Sequence, residues 1–230
     1  MNEKEIAALV AKVMAELEKT NSCSNSYSSS CNGSGADDPY LVPVGVSNRH
    51  IHLSQADFET LFGKGATMTH FKDLSQPGQF ACQEVVTLVG PGGAIERVRL
   101  LGPARKQSQI EVSVADCFKL GVKAPLRDSG DLSGSAALTM VGPAGSVSVP
   151  EGCIIALKHI HMHTSDAERI GLKDKDHVDV QTCGDRNLIF QDVLIRVGEN
   201  FKLEMHVDMD EANAASLTNG DRVRIIGKSK

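Results

Sequence analysis

The feature of this sequence that most constrains its fold is a succession of short apolar segments that begins near Tyr40. Gly and Pro interrupt the succession roughly every ten residues, a spacing typical of all-β sandwiches and barrels. Two interruptions, Gly90–Gly93 and Gly142–Gly145, are rich in glycine and suit hairpin turns. Many segments alternate in polarity or contain β-branched residues, which favours strands. The predicted strands are Leu41–Val46, Val85–Val89, Arg97–Leu101, Ile110–Val114, Ala137–Val141, Val147–Val149, Cys153–Leu157, His177–Val180, Asp192–Val197, Lys202–Val207 and Arg222–Ile226.

Helical patterns beyond Tyr40 are short and occur at Ser54–Leu61, Ser165–Ile170 and Glu211–Ser216. We predict that Ser54 and Ser165 are the N-caps of the first two helices, because a serine hydroxyl can accept a hydrogen bond from a first-turn backbone N–H group. The region from Tyr40 onward is therefore predicted to be mostly β, built from small barrels or sandwiches with short helices at strand ends.

A different pattern precedes Tyr40. Residues 1–20 predict an amphipathic helix, because apolar side chains recur along one face. These side chains are Ile6, Leu9, Val10, Val13 and Leu17. Residues 21–38 are rich in Ser, Asn and Gly and predict a flexible linker. A short amphipathic helix on such a linker favours docking on another protein. The alternative is a helix that packs on its own domain.

Composition argues against several classes of function. The net charge of −5 and the lack of a dense basic run are unlike a general nucleic-acid-binding protein. Aromatic residues make up 4% of the chain and Trp is absent, so a base-stacking surface is not predicted. No apolar run approaches the roughly 18 residues that a membrane-spanning helix needs. Nucleotide-binding loops and serine-nucleophile motifs are also missing, so an enzyme would need another source of reactivity.

Two near-identical tripeptides supply that source, His50–His52 and His159–His161, both with the sequence His-Ile-His. In a strand, residues i and i+2 face the same side, so both imidazoles of a tripeptide can bind one metal ion. Imidazole together with carboxylate favours zinc. Each pair needs a further ligand, for which Glu111 and His206 are candidates because both lie in predicted strands. No Cys-x-x-Cys pair occurs, so a zinc–thiolate site is not predicted.

Positive side chains are concentrated between Arg97 and Lys106, beside a Gly-Pro turn. Arginine can bind phosphate through two parallel hydrogen bonds, so the cluster predicts an anion site. The alternative is solvated charge on a strand edge, which discourages aggregation. Strand spacing brings the cluster near Glu111, which favours the phosphate interpretation.

Several longer motifs resemble those of the PduL-type phosphotransacylases, also called phosphate propanoyltransferases. The resemblance extends from about Pro43 to Ile226. The matching motifs are Gly45–Ser54, Lys72–Phe80, Arg99–Arg105 with Gln109 and Glu111, Lys158–Met162, and Glu204–Asn213. One departure is Lys158, where Arg is common in the family; lysine keeps the charge and loses any bidentate contact.

The resemblance implies two tandem six-stranded β-barrels with short capping helices and a two-zinc site between them. Barrel 1 would comprise residues 39–48 and 157–226, and barrel 2 residues 49–156. One zinc would be bound by His50, His52 and Glu111, and the other by His159, His161 and His206. Catalytic Arg105 would hold phosphate, and coenzyme A would contact Ser47, Lys72, Arg99, Leu101 and Asn213. His163 lies outside the matched motif and is not expected to bind metal.

The activity implied by the resemblance is reversible transfer of a short acyl group, propanoyl or acetyl, between coenzyme A and phosphate. Such enzymes often carry an N-terminal amphipathic helix and a linker that direct them into a bacterial microcompartment. Residues 1–20 would then bind shell or cargo proteins, and the enzyme would be a cytoplasmic homo-oligomer inside the microcompartment. Neither a nucleic-acid nor a membrane partner is expected.

Two other functions would use the same histidines. A zinc hydrolase would cleave a thioester or phosphoester with metal-activated water and would need neither phosphate nor the basic cluster. Phosphate-independent release of coenzyme A would identify it. A non-enzymatic component of a larger assembly would hold structural zinc, whose sites are usually closed, four-ligand and thiolate-rich. Four protein ligands on each ion would identify that case.

Overall fold

The computed structural model describes residues 38–229, which form two β-barrels with short helices at their ends. The predicted helix over residues 1–20 lies outside the described residues, as does the predicted linker 21–38 except for Asp38. Within the described part of the chain, no helix is long and apolar enough to cross a membrane.

The secondary structure is numbered along the described chain. The strands are β1 Leu41–Ser47, β2 His50–His52, β3 His70–Asp73, β4 Phe80–Gly90, β5 Gly93–Gly102, β6 Gln109–Glu111, β7 Leu126–Arg127, β8 Ala136–Val141, β9 Ser146–Ala156, β10 His159–Met162, β11 His177–Gln181, β12 Ile189–Val197, β13 Glu204–Asp208 and β14 Arg222–Lys228. The helices are α1 Gln55–Phe62, α2 Val114–Leu120, α3 Thr164–Ile170 and α4 Met209–Ala215.

The first barrel is closed by six strands in the order β1-β13-β10-β12-β11-β14. Its closure pairs the first described strand with the last, because Leu41 of β1 aligns with Arg224 of β14. The core of this barrel is apolar and almost completely buried. Its central residues include Val42, Val44, Ile160, Met162, Val193, Ile195 and Met205.

The second barrel is contiguous in sequence and is built from β2, β4, β5, β6, β8 and β9. Strand β8 pairs with both β4 and β9 and so closes the ring, while β3 and β7 extend it at β4 and β9. Both predicted hairpins are present: Gly90 pairs with Gly93, and Val141 pairs with Ser146. The expected mostly-β fold of two six-stranded barrels with short helices is therefore confirmed.

The two His-Ile-His tripeptides form β2 and β10, one in each barrel. Their central residues, Ile51 and Ile160, are fully buried in the two barrel cores. Burying an isoleucine side chain contributes about 1.5–3 kcal/mol, so the strand register is strongly favoured. Because neighbouring side chains in a strand point to opposite faces, the histidines on either side of each isoleucine face away from the core.

The predicted strands Val147–Val149 and Cys153–Leu157 are one strand, β9. Two further local predictions are wrong at the starts of helices. The predicted strand Ile110–Val114 ends at Glu111, because Ser113 caps helix α2 and Asp116 completes a capping box with it. The predicted N-cap Ser165 lies inside α3, which begins one residue earlier. Its N-cap is His163, whose Nδ1 accepts a hydrogen bond from the backbone N–H of Ser165 at 3.2 Å.

Candidate metal centres between the two barrels

The first centre, called here the carboxylate centre, consists of His50, His52 and Glu111. Strands β2 and β6 run antiparallel, and His50 is directly opposite Glu111. One ligand atom from each residue can be chosen so that all three lie within 4.8 Å of one another. The pairing of two strands thus brings the carboxylate to the two histidines that the tripeptide already aligns.

Hydrogen bonds hold the side chains of the carboxylate centre. His50 donates from Nδ1 to the carbonyl oxygen of Asn48 at 2.8 Å, which leaves Nε2 to face Glu111 Oε2 at 3.4 Å. Glu111 accepts hydrogen bonds from the Gln109 amide and from the Ser129 hydroxyl, the latter at 3.2 Å. The ligand set is therefore fixed from its own barrel.

The electrostatics of this centre favour the ionised form of Glu111 and the neutral form of His52. Burial opposes ionisation of Glu111, but the neighbouring His50, His52 and Arg105 outweigh it and hold the pKa of Glu111 well below its usual range. Burial, with the charges of His50 and Arg105, lowers the pKa of His52 to about 3. An ionised carboxylate and a neutral imidazole are the forms that bind metal.

The second centre, called here the histidine centre, consists of His159, His161 and His206. It repeats the backbone arrangement of the first, because β10 and β13 are antiparallel and His159 is opposite His206. His159 donates from Nδ1 to the Leu157 carbonyl oxygen at 2.7 Å. The ring of His161 stacks on Phe201 with 4.5 Å between centroids.

All three members of the histidine centre are imidazoles, and two of them are kept neutral by their surroundings. Burial and the neighbouring His206 lower the pKa of His159 to about 4. Burial, with the charges of His159 and His206, lowers the pKa of His161 to about 2. Both rings are therefore unprotonated at neutral pH, the form in which histidine binds metal.

Unpartnered ring nitrogens test whether these residues fit a metal. Both ring nitrogens of buried His161 have no hydrogen-bond partner, and a neutral imidazole needs only one of them to bind a cation. Leaving a buried polar atom unpaired costs about 1–3 kcal/mol, which a coordinated cation would offset. Sets of two histidines with a carboxylate, or of three histidines, are typical of catalytic zinc sites. The residues present therefore fit two such ions.

Both centres open into one cavity of about 650 Å³ between the barrels. Four of the five residues expected at coenzyme A line this cavity: Ser47, Lys72, Arg99 and Leu101. The fifth, Asn213, is exposed on α4 and is not part of the lining. The cavity therefore joins one wall from each barrel around the two centres.

Arg105 and Arg99 lie in different surroundings within this cavity. Arg105 donates from Nη2 to Nε2 of His52 at 2.8 Å and from Nη1 to the Ser129 hydroxyl at 3.3 Å. Burial and the charge of Arg196 lower the pKa of Arg105, although Glu111 opposes this effect. Arg99 instead donates to backbone carbonyl oxygens of β4 and lies over the ring of Phe71. Arg105 is thus the cation next to the carboxylate centre.

Several cavity residues were not identified from the sequence, among them Gln76, Arg196, Phe201 and Glu204. Arg196 lies beside His161 because β10 and β12 pair in parallel. Only Glu204 had a local signal, its i, i+2 spacing to His206 in β13. His163 belongs to neither centre and lies 3.8 Å from Glu199.

A basic residue precedes each His-Ile-His tripeptide. It pairs with an acidic residue in the capping box of a helix, and that helix follows the strand that carries the third ligand. Arg49 contacts Asp116 of α2 at 2.8 Å, and Lys158 contacts Glu211 of α4 at 3.9 Å. Burial raises the pKa of Glu211 to about 7, although the hydrogen bond from the Asp208 backbone N–H opposes this shift. The contact between Lys158 and Glu211 is longer than the contact between Arg49 and Asp116.

Comparison with known proteins places these residues in a family context. Residues 43–218 match the family model of phosphate propanoyltransferase. The chain is 60% identical over 190 residues to a phosphate propanoyltransferase of Thermotoga maritima, covering 82% of this chain and 90% of that protein. It is 56% identical over 188 residues to the enzyme of that name from Rhodobacter capsulatus, covering 82% and 87% of the two chains. With the Rhodopseudomonas palustris protein of that name, identity is 47% over 228 residues and 99% of each chain.

Proposed function

Since this chain belongs to the phosphate propanoyltransferase family, and is therefore an acyltransferase, we propose that it moves a propanoyl or acetyl group between coenzyme A and phosphate at the two centres described above. The observation that carries this proposal is the shared cavity. It joins two separate three-residue groups that could each hold a metal ion and the half-buried Arg105. A thioester, a phosphate ion and two metal ions can meet only where such groups converge.

We infer that each centre holds one zinc ion. The carboxylate centre would use His50, His52 and Glu111, and the histidine centre His159, His161 and His206. Three protein ligands leave an open position on a zinc ion, which is typical of catalytic sites and unlike closed structural sites. Bound zinc would supply a Lewis acid that stabilises the thiolate of coenzyme A and the negative charge that develops on the reacting oxygen.

Arg105 would bind the phosphate substrate. Its guanidinium is oriented by Ser129 and lies against His52, so it faces the carboxylate centre from one side. A guanidinium offers two parallel donors to phosphate oxygens, which would orient one remaining oxygen toward the thioester carbon. Phosphate carries at least one ionised oxygen at neutral pH, so no protein base is required to activate it.

The proposed reaction balances without another co-reactant. A phosphate oxygen attacks the thioester carbonyl carbon, the new carbon–oxygen bond forms, and the carbon–sulfur bond breaks with release of coenzyme A as thiolate. Coenzyme A would be held along Ser47, Lys72, Arg99 and Leu101, which line the cavity. We propose Asn213, which is exposed on α4, as a further contact for coenzyme A outside the cavity lining.

We also propose a place for the enzyme in the cell. Residues 1–20 would act as a targeting helix that binds shell or cargo proteins of a bacterial microcompartment, with residues 21–38 as its linker. The enzyme would be a homo-oligomer in that compartment. The supporting observation is the sequence pattern, together with an alignment to the Rhodopseudomonas palustris protein that extends over nearly the entire chain.

The test is an assay of coenzyme A release from acetyl-, propanoyl- and butanoyl-coenzyme A, with and without phosphate, with metal analysis on the same sample. We expect release that requires phosphate, formation of acyl phosphate, and two zinc ions per chain. Release that is independent of phosphate would identify a hydrolase and contradict the proposal. An active protein free of divalent metal would contradict the two-zinc site.

A further inference from the structure

Glu204 is a carboxylate of the cavity that no step above uses. It precedes His206 by two residues in β13, so both side chains lie on the same face of the strand. Its Oε2 is 2.6 Å from Nε2 of His206. A carboxylate can only accept here, so the imidazole donates, and the hydrogen bond fixes the orientation of the ring and the position of its proton. Carboxylate partners serve metal-binding histidines in this way.

The other oriented histidines use a different kind of partner. His50 and His159 each donate from Nδ1 to a backbone carbonyl oxygen two residues earlier, at 2.8 and 2.7 Å. Those carbonyl groups belong to the same chain segments as the histidines. His206 instead depends on a side chain, and its orientation can therefore change when the environment of that side chain changes.

The carboxylate of Glu204 is held from the other barrel. Ser75 donates its hydroxyl hydrogen to Oε2 of Glu204, and the Gln76 amide lies 3.5 Å from the same oxygen. Both residues lie in the loop between β3 and β4, which belong to the second barrel. The histidine centre of the first barrel is thus supported through one carboxylate by a loop of the second.

Gln76 fastens this loop. Its side chain is 3% exposed, and its amide pairs in both directions with the backbone of Lys202. Nε2 donates to the Lys202 carbonyl oxygen at 2.9 Å, and Oε1 accepts from the Lys202 N–H at 3.2 Å. The segment held in this way also carries Phe201, which stacks on His161. Two of the three residues of the histidine centre therefore rest on the same inter-barrel contact.

Charge gives Glu204 a second role. A ligand set made only of imidazole groups offers no negative charge to a divalent cation, whereas the carboxylate centre already contains Glu111. Glu204 places one negative charge next to His206, at the position of β13 opposite His161. The adjacent strand leaves room for it, because a Cβ atom at Gly45 would come within 2.9 Å of the Glu204 carboxyl carbon.

We propose that Glu204 is a positioning residue for the histidine centre, which orients His206 and makes metal binding there depend on the docking of the Ser75–Gln76 loop. This inference rests on the proposed two-metal function. It also predicts an asymmetry, because Glu111 of the carboxylate centre is held by Gln109 and Ser129 of its own barrel. Only the histidine centre would respond to a change in the contact between barrels.

The test is zinc affinity, measured on the full chain by competition with a chromophoric chelator together with metal stoichiometry. Glu204→Gln should lower the affinity for one of the two zinc ions by about 10–100-fold and leave the affinity for the other unchanged. The same substitution in a His52→Ala background, where only the histidine centre is intact, should give the same shift. The matched control is Glu199→Gln, which alters a carboxylate 3.8 Å from His163, a histidine outside both centres.

Ser75→Ala tests the link between barrels. It removes one hydrogen bond to Glu204 and leaves the pairing of Gln76 with Lys202, so the barrels should remain docked. We expect a smaller loss at the same zinc ion, about 3–10-fold. Unchanged affinity in this variant would overturn the inter-barrel part of the inference.

The outcomes also separate this inference from the function on which it rests. If the wild-type enzyme is active with two zinc ions and Glu204→Gln binds both with unchanged affinity, the inference about Glu204 is wrong. The proposed function would not be affected by that result. A wild-type chain that transfers acyl groups but binds fewer than two zinc ions would overturn the two-metal site itself.

Discussion

The two centres share a backbone plan and differ in chemistry. In each, a His-Ile-His strand pairs antiparallel with a second strand whose ligand residue is opposite the first histidine, His50 with Glu111 and His159 with His206. In each, the second strand continues into a helix that begins with a capping box. The backbone therefore fixes where three ligands meet.

Side chains then set the charge of each centre. The carboxylate centre contains Glu111 and has Arg105 beside it. The histidine centre has three imidazoles, with Phe201 stacked on His161, Arg196 beside His161 and Glu204 hydrogen-bonded to His206. An anion such as phosphate would be drawn to the first by Arg105. The comparison indicates that the same strand pairing can hold two ligand sets of different charge.

The largest expected effect comes from removing one ligand from each centre. His50→Ala and His159→Ala should each lower acyl-phosphate formation by at least about 100-fold, because each abolishes a ligand of one proposed zinc ion. The measurement is phosphate-dependent release of coenzyme A, with circular dichroism to check the fold. Near-normal activity in one folded variant would break the comparison, since that centre would then be dispensable for the reaction.

The second prediction uses the ion pairs beside the tripeptides. The pKa of Glu211 is about 7 in the folded protein, above its ordinary value of 4.5. The unfolded chain therefore loses this proton first as the pH rises, and folding stability falls between pH 4.5 and about 7. Glu211→Gln keeps a capping side chain and should be more stable than the wild type above that range, by about 2 kcal/mol.

Urea unfolding at pH 4.5 and pH 8 measures this difference. The two proteins should have similar stability at the lower pH and diverge at the higher one. Glu168→Gln, which changes an exposed carboxylate in α3, is the control. Lys158→Arg sharpens the comparison with Arg49, because a guanidinium should shorten the 3.9 Å contact and reduce the dependence on pH. Equal divergence in the control would contradict the assignment to Glu211.

The third prediction concerns Arg105, which donates a hydrogen bond to His52 of the carboxylate centre. Arg105→Lys keeps the charge and removes the forked geometry, so we expect the KM for phosphate to rise by about tenfold. Initial rates at varied phosphate and varied acyl-coenzyme A measure the two KM values separately. Arg99→Lys is the matched control, because it should change the KM for acyl-coenzyme A and not that for phosphate. A reversed pattern would exchange the proposed roles.

The smallest expected effect on catalysis comes from deleting residues 1–20, which lie outside both centres in sequence. We expect kcat/KM to stay within about twofold of the full-length value, equivalent to less than 0.5 kcal/mol. Localisation or assembly should change instead, which fluorescence microscopy of a tagged chain and size-exclusion chromatography would show. Identical localisation without these residues would contradict the targeting proposal.

Local sequence patterns predicted the strands and the outward-facing histidines, because both depend on alternation within a few residues. Ile51 and Ile160 are buried as that alternation requires. The capping box of α2 was also readable in principle, from Ser113 followed three residues later by Asp116. The N-cap of α3 could not be predicted in this way. Serine is a preferred N-cap residue, so Ser165 was favoured, whereas the helix begins at Thr164 and is capped by His163.

Long-range pairing was not readable from local patterns. Glu111 and His206 were two candidates among strand residues until the resemblance singled them out, since strand order decides which residue stands opposite a histidine. Contacts between barrels are harder still. Gln76 approaches Lys202 only after two separate barrels have docked, and no local periodicity records that event.

The closure of the first barrel by β1 and β14 has a consequence for protein synthesis. Strand β1 is among the first described segments to leave the ribosome, yet its partner Arg224 is among the last. Every strand of the second barrel lies between them and can pair while translation continues, since domains generally fold as units during synthesis. On the nascent chain, His50, His52 and Glu111 can therefore assemble before His206 has been translated. A growing chain would acquire its carboxylate centre first and its histidine centre only near termination.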